Sequence, residues 1–201
     1  MMKRNNFPFS AVLGLNHAKT AILIVLVNPR AGGLLISGPR GIGKSTLMRS
    51  TQELIERPWR DIPVSVTEDR LFGTIDTEKA IYSGQKKLYP GIINEADQGV
   101  LYLDDANLLR EDLLDSILNI AEVGAYQLER DGLSLRCDTS FTVIAAINPE
   151  SGMLSGACLD QFGLFVNVDN IHDENTRVEI LKRTISFEKD CASFCNLWKL
   201  E

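Results

Sequence analysis

Histidine is nearly missing from this chain, with two among 201 residues, and the four cysteines (Cys137, Cys158, Cys191 and Cys195) are scattered. That scarcity excludes a zinc site of the Cys/His kind, whose ligands recur at short spacings. Cys191 and Cys195 stand one helical turn apart, which fits half-buried small side chains rather than a metal or redox pair. Long apolar runs are lacking too: the stretch Ala21 to Val27 is far too short for a bilayer. With no secretory signal at the start, a reducing cytoplasm is the expected setting. There are no repeats and no low-complexity segments. Positive charge is short overall, the formal net charge being -6, which argues against nucleic acid as a partner for the whole surface. Residues 1–60 nevertheless carry nine Lys/Arg against two Asp/Glu, so the remainder is strongly acidic. A basic end suits polyphosphate, or contacts between neighbouring subunits. The length allows one substantial core and predicts a single domain over 1–201.

What is present is Gly38-Pro39-Arg40-Gly41-Ile42-Gly43-Lys44-Ser45, preceded by the apolar run 33–37 and continued by Thr46-Leu47-Met48-Arg49. A glycine, four residues, then Gly-Lys-Ser is the spacing of a phosphate-binding loop. Gly38, Gly41 and Gly43 let the backbone turn its N–H groups inward at phosphate oxygens. The following helix adds its unpaired amides and the positive end of its dipole. Lys44 reaches the terminal phosphates, and the Ser45 hydroxyl is placed to ligate Mg²⁺. The cofactors expected are therefore ATP and Mg²⁺, with residues 38–46, Thr46 included, as the binding loop. Arg40 inside it reads as solvent-facing or neighbour-facing rather than catalytic.

Periodicity supplies the rest of the scaffold. A helix is predicted from Asn16, as N-cap, to Val27, with Ala18, Ala21, Ile22, Val25 and Leu26 as its buried stripe. Strand 33–37, the loop and a helix over 44–55 follow. Pro58 and Pro63 suggest a connection with Trp59 exposed, and Val64 and Val66 suggest a short strand inside 61–70. Residues 67–74 read as loop or short helix; from Asp76 to Val100, 77–83 read as one or two turns, 89–91 as a turn and 92–97 as a helix, in a surface insertion. Residues 100–103 are a buried strand. Residues 111–123 are an amphipathic helix closed by Gly124, with Leu113, Leu114, Ile117, Leu118 and Ala121 inward. The segment 126–136 is a hairpin turning at Asp131-Gly132. Strands 141–147 and 165–168 and a helix opening over 174–181 complete the chain.

Alternating strands and helices imply an open α/β sheet with ligands at the carboxyl ends of its strands. Three ends matter. One is the phosphate loop. The second is Asp104-Asp105, where the first carboxylate can hold Mg²⁺, directly or through water, and its neighbour can orient the attacking water. The third is Asn148, an amide able to position that water or touch the γ-phosphate. Catalytic candidates are thus Lys44, Asp105 and Asn148, and metal candidates Ser45 and Asp104. Plainer alternatives stand beside them: the aspartates as caps of the next helix, and Asn148 before Pro149 as a turn residue. Arg70 and Arg130 are surface arginines or reach across an oligomer interface.

In this order the phrases resemble the ATPase motor subunits of magnesium chelatase, within the AAA+ group that includes MoxR-like proteins. The carriers are Phe9-Ser10-Ala11-Val12-Leu13-Gly14, Gly38 to Thr46, Thr67-Glu68-Asp69-Arg70-Leu71-Phe72-Gly73-Thr74-Ile75-Asp76 and Tyr89-Pro90-Gly91. They continue in Leu101-Tyr102-Leu103-Asp104-Asp105-Ala106-Asn107-Leu108-Leu109, Glu129-Arg130-Asp131-Gly132, Asn148-Pro149-Glu150 and Leu159-Asp160-Gln161-Phe162-Gly163. The resemblance implies a ring-forming, usually hexameric ATPase whose parallel sheet has the order 5-1-4-3-2. It places Val12 and Leu13 near the adenine, makes 67–99 an insertion at the second helix and 126–137 the hairpin before the sensor strand, and makes Asn148 the sensor. It also implies a partner with an integrin-like metal-binding (VWA) domain or, for MoxR-like relatives, other remodelling partners.

Departures from the family pattern bear on activity. Asp105 stands where the family has glutamate, so its carboxylate is pulled back by about 1.5 Å, a misplacement that can cost about 100-fold in rate. Gln161 replaces the arginine that reaches the neighbour's γ-phosphate, a group contributing about 10³–10⁵ in analogous enzymes. Ser155 replaces an earlier arginine, and the helical lid with its sensor arginine is expected to be absent. ATP binding with weak or partner-dependent hydrolysis is the expectation. The alternatives are a catalytically degenerate scaffold or regulatory subunit, a MoxR-like remodelling ATPase, and a DNA-bound motor, which the acidic balance disfavours.

Overall fold

The structure, a computed structural model, describes residues 6–75, 88–130 and 133–199. Its centre is a five-stranded parallel sheet made of β1 (Leu34–Ser37), β2 (Trp59–Ile62), β5 (Gly99–Leu103), β8 (Phe141–Ile147) and β9 (Leu164–Asn167), ordered β2-β5-β8-β1-β9. Numbered over these five strands and taken from the β9 edge, that is the 5-1-4-3-2 order implied by the resemblance. The three middle strands are buried along their whole length, as continuous apolar runs between two helical layers should be.

Alternation along the strands divides the core in two. On one face Leu35, Leu101, Leu103, Val143, Ala145 and Ile147 pack against α4 (Ile92–Glu95) and α5 (Glu111–Val123). On the other, Leu34, Ile36, Val100, Tyr102, Ile144 and Ala146 pack against α1 (Asn16–Val27) and α2 (Lys44–Thr51). The α1 stripe is the one the spacing predicts, although Asn16 is the first helical residue and Leu15, at φ 53°, occupies the cap position. In α5, Ile120 is buried where Ala121 was expected and Ala121 packs at the margin, while Gly124 closes the helix at φ 78°.

Three expectations are corrected. Trp59 is not exposed: it opens β2, 7 % accessible, with its ring against Tyr102. The strand lies at 59–62, not around Val64, which is exposed, or Val66, which is buried beyond the strand. The stretch from Asp76 to Val100 is also not all surface, because Ile92, Ile93 and Ala96 belong to the core, as does Leu71 before it. There α3 (Glu68–Phe72), capped by Thr67, leads into β3 (Gly73–Ile75), which pairs antiparallel with β4 (Leu88–Pro90). Tyr89-Pro90-Gly91 thus ends a strand rather than making an isolated turn. The turns expected at 77–83 and Asp131-Gly132 lie outside the described residues. β6 (Ala125–Arg130) and β7 (Leu133–Asp138) form the hairpin. After α6 (Gly156–Asp160) and β9, two helices, α7 (Glu174–Lys189) and α8 (Cys191–Leu197), turn back on the start of the chain. Phe7, Phe187, Phe194 and Trp198 stack there, and Arg183 donates to the Ala11 carbonyl at 3.0 Å. Sequence periodicity registered only the first half of this helical pair.

Candidate nucleotide site

β1 delivers the chain into the phosphate loop while still in ladder with β8, Gly38 N donating to Ile147 O at 3.2 Å. A Cβ on Gly38 would lie 2.5 Å from the Val168 carbonyl, so only glycine fits there. Gly41 and Gly43 adopt φ of 82° and 91°, turning the loop so that α2 begins at Lys44 with no side chain capping its first amides. Those amides are the ready partners of an anion. Lys44 is buried, 8 % accessible, and its Nζ donates to Gly38 O at 2.6 Å and Pro39 O at 2.9 Å. Burial pulls its pKa below the ordinary lysine value, Asp105 and then Asp104 oppose the shift, and Arg40 adds to it. Arg40 and Thr46 are exposed, and Pro39 and Ile42 are half-buried.

The two apolar strands β1 and β5 bring Ser45 and Asp104 together from 59 residues apart, Ser45 Oγ donating to Asp104 Oδ2 at 3.1 Å. Tyr102 donates its hydroxyl to the other oxygen, Oδ1, at 2.9 Å. Burial first, and Asp104 second, push the Tyr102 phenol far above its usual range, so it remains a donor. Asp105 is left-handed at φ 49° and heads the 3-10 turn Ala106–Leu108, but its side chain caps nothing there. Asn148, 2 % accessible, does serve its turn: Oδ1 accepts from Glu150 N and Nδ2 faces Ser151 Oγ, both at 3.2 Å. The second of its amide hydrogens has no acceptor among the described residues. Val12 and Leu13 follow the 3-10 turn Phe9–Ala11, whose segment packs on α2. Leu15 Cδ1 would lie 3.9 Å from a Cβ on Gly43, which puts this segment beside the loop.

Two residues here were not singled out by sequence. Tyr102 could have been noticed as a hydroxyl in an otherwise aliphatic strand, two residues before Asp104. Asn107 donates to the carbonyls of Asn148 at 3.2 Å and Gly152 at 3.0 Å, tying the Asp105 turn to the Asn148 loop, and its Oδ1 has no partner among the described residues. Nothing in its spacing announces that. The hydroxyl and carboxylate oxygens of Ser45 and Asp104 suit Mg²⁺, which takes oxygen ligands, and among the described residues no cluster of three or more His, Cys, Asp or Glu offers another metal site.

Gln161 is elsewhere. It ends α6 and faces a groove of about 840 Å³ lined also by Asp115, Ser116, Asn119, Glu122 and Glu129, with no lysine or arginine among its described lining residues. Ser155 caps α6, and buried Cys158 donates its thiol to Asp115 at 2.9 Å. Burial, then Asp115, raises that thiol's pKa. Arg70 lies on α3, exposed, and Arg130 in β6.

A glycine-rich loop between a parallel strand and a helix, facing a strand-end carboxylate in a sheet of this order, defines an AAA+ ATPase core. The AAA domain family (dynein-related subfamily) matches residues 33–161. The magnesium-chelatase 38 kDa subunit of Cereibacter sphaeroides is 36 % identical over 97 % of this chain and 68 % of that protein. Subunit ChlI of Cyanophora paradoxa is 33 % identical over 100 % and 70 %, and the ChlI homolog of Methanocaldococcus jannaschii is 33 % identical over 96 % and 63 %. Among solved structures, a chain of the complex between subunits BchI and BchD of magnesium chelatase, based on a cryo-EM reconstruction, matches with a TM-score of 0.77 at 35 % identity, over 98 % of this chain and 71 % of that one. The chain belongs to the magnesium-chelatase I/D-type ATPase subunit family and spans 63–70 % of the length of these three relatives. No helix among the described residues is long and apolar enough to cross a membrane.

Proposed function

We propose that this AAA+ core binds ATP–Mg²⁺ and hydrolyses it weakly, or only with partners, as part of an oligomeric ring that drives remodelling or metal insertion. The observation that carries the reading is the approach of Ser45 to Asp104 beside a lysine held inside the phosphate loop. Lys44 would exchange the Gly38 and Pro39 carbonyls for phosphate oxygens, a swap that returns its ammonium to a negative partner. The first amides of α2 take up the remaining phosphate charge, Asp105 orients the water, and the free amide hydrogen of Asn148 holds either that water or the γ-phosphate. Mg²⁺, when bound by Ser45 and Asp104, neutralises charge on the β- and γ-phosphates. Val12 and Leu13 would border the adenine. The partner favoured is a protein with an integrin-like domain, by analogy with relatives whose BchI subunit is seen in complex with BchD.

A second reading, a degenerate scaffold or regulatory subunit, is favoured by Gln161 and by the acidic lining of its groove. A neutral amide among carboxylates does not stabilise a neighbour's developing phosphoryl charge. Either reading requires nucleotide binding. Equilibrium titration with a labelled ATP analogue should give saturable binding that Lys44→Ala weakens by about 100-fold, the loss of a charge-assisted partner on a triphosphate. Equal affinity in the two proteins, or none in either, refutes both readings.

A further inference from the structure

The carboxylate of Asp104 has both oxygens assigned before any ligand arrives. Tyr102 lies in β5 and Asp104 is the residue just past its end, two positions on, where the alternation of the strand still turns both side chains to one side. The Tyr102 hydroxyl holds Oδ1 at 2.9 Å, and Ser45 Oγ lies nearer Oδ2, at 3.1 Å, than Oδ1, at 3.5 Å. The ring that carries the hydroxyl cannot easily turn away. Tyr102 is 5 % accessible, its ring centroid lies 6.0 Å from that of Trp59, and Trp59 is fixed in turn by its Nε1 donating to Asp61 Oδ1 at 2.8 Å. Asp61 is the cross-strand partner of Tyr102 in the β2–β5 register.

We propose that Tyr102 is a positioning residue that clamps Asp104 into offering one oxygen to the cation, and so sets the preference of the nucleotide site for Mg²⁺ over Ca²⁺. The inference rests on the ATP–Mg²⁺ reading above. Mg²⁺ demands near-octahedral ligands and keeps several waters, whereas Ca²⁺ accepts six to eight oxygens and commonly takes a carboxylate through both of them. A carboxylate with one oxygen occupied by a phenol suits the first geometry and denies the second. Without the hydroxyl, Asp104 is free to rotate and to ligate through both oxygens. Partners that orient a metal's ligand are typically worth about 10–100-fold in metal affinity.

The test uses the full chain saturated with a fluorescent non-hydrolysable ATP analogue, titrated with Mg²⁺ and separately with Ca²⁺, with analogue affinity in chelator and thermal unfolding measured alongside. Tyr102→Phe keeps the ring and removes only the hydroxyl. It should leave metal-free analogue affinity within about twofold, weaken Mg²⁺ by about tenfold and weaken Ca²⁺ much less, or strengthen it. Equal shifts for both cations, or none, overturn the inference and leave the ATP reading intact. Absence of analogue binding by the wild type overturns the ATP reading, and this inference with it. If Tyr102→Phe does not yield folded protein, Trp59→Phe loosens the same clamp from behind. It should lower the Mg²⁺/Ca²⁺ ratio by a smaller factor, and an unchanged ratio there overturns the inference as well.

Discussion

Lys44 is charged in a place that disfavours charge. Its ammonium is buried on two loop carbonyls, with Asp105 and Asp104 only partly offsetting the loss of solvent and the presence of Arg40. Because its pKa in the fold lies below the ordinary lysine value of 10.5, the unfolded chain binds more protons throughout the window between the two values. In that window Lys44 makes the empty protein more stable as pH rises. Nucleotide binding runs the other way, since a triphosphate favours the ammonium. Calorimetric titration of an ATP analogue in buffers of different ionisation enthalpy should therefore detect proton uptake by Lys44 that grows as pH rises toward the ordinary lysine value of 10.5. Uptake that stays flat over that range would mean that Lys44 does not meet the phosphates. This residue, Ser45 and Asp104 were legible in the sequence because a phosphate loop fixes its ligands by spacing and an apolar strand announces the carboxylate at its end. Tyr102 and Asn107 were not singled out, because what matters in them is a contact made through space.

Among the elements, the neck of the 67–99 excursion is a tight join. A Cβ on Gly91 would lie 2.3 Å from Gly73 N and 2.4 Å from Leu71 O, and one on Gly73, at φ 88°, would lie 2.4 Å from Tyr89 O. The β6–β7 hairpin is fastened to the same neck, the Tyr126 hydroxyl standing 2.7 Å from both Phe72 O and Asn94 Oδ1. Gly91→Ala must push backbone against backbone, and should cost about 2–3 kcal/mol in urea unfolding with the m-value unchanged. A loss under about 0.5 kcal/mol, the usual size of an innocuous surface change, would show that the neck relaxes freely. The same region explains where sequence patterning failed. A four-residue helix such as α4 is too short to display a period, so Ile92 and Ile93 passed for surface. In β2 only Trp59 and Ile62 are buried, which is neither alternation nor a continuous run. The central strands, with their unbroken apolar runs, and α1 and α5, long enough to show their periods, were placed correctly, though Leu15 rather than Asn16 caps α1 and Ile120 rather than Ala121 completes the buried face of α5.

At the scale of the whole molecule the decisive feature is the absence of a cation at Gln161, at the end of α6 and in a groove that also holds Asp115, Glu122 and Glu129. None of the phosphate-loop residues lines that groove, and under the ring proposal Gln161 would face a neighbouring subunit's site. Gln161→Arg should leave ATP affinity unchanged and raise turnover. An arginine in this role contributes about 10³–10⁵ elsewhere, but Asp115 in the same groove competes for it, so a gain of about tenfold or more is the expectation. The direct test is complementation. A Lys44→Ala, Gln161→Arg double variant fills its own site about 100-fold less readily, yet mixed with wild type it should raise the wild type's hydrolysis in proportion to its share of the ring. If Gln161→Arg is fast alone but the mixture stays at the wild-type rate, the arginine acts within its own subunit and the ring proposal loses its support. If neither preparation turns over while both Gln161→Arg and wild type still bind ATP, the short carboxylate of Asp105 limits the chemistry. The chain is then a nucleotide-binding scaffold whose work depends on an active partner.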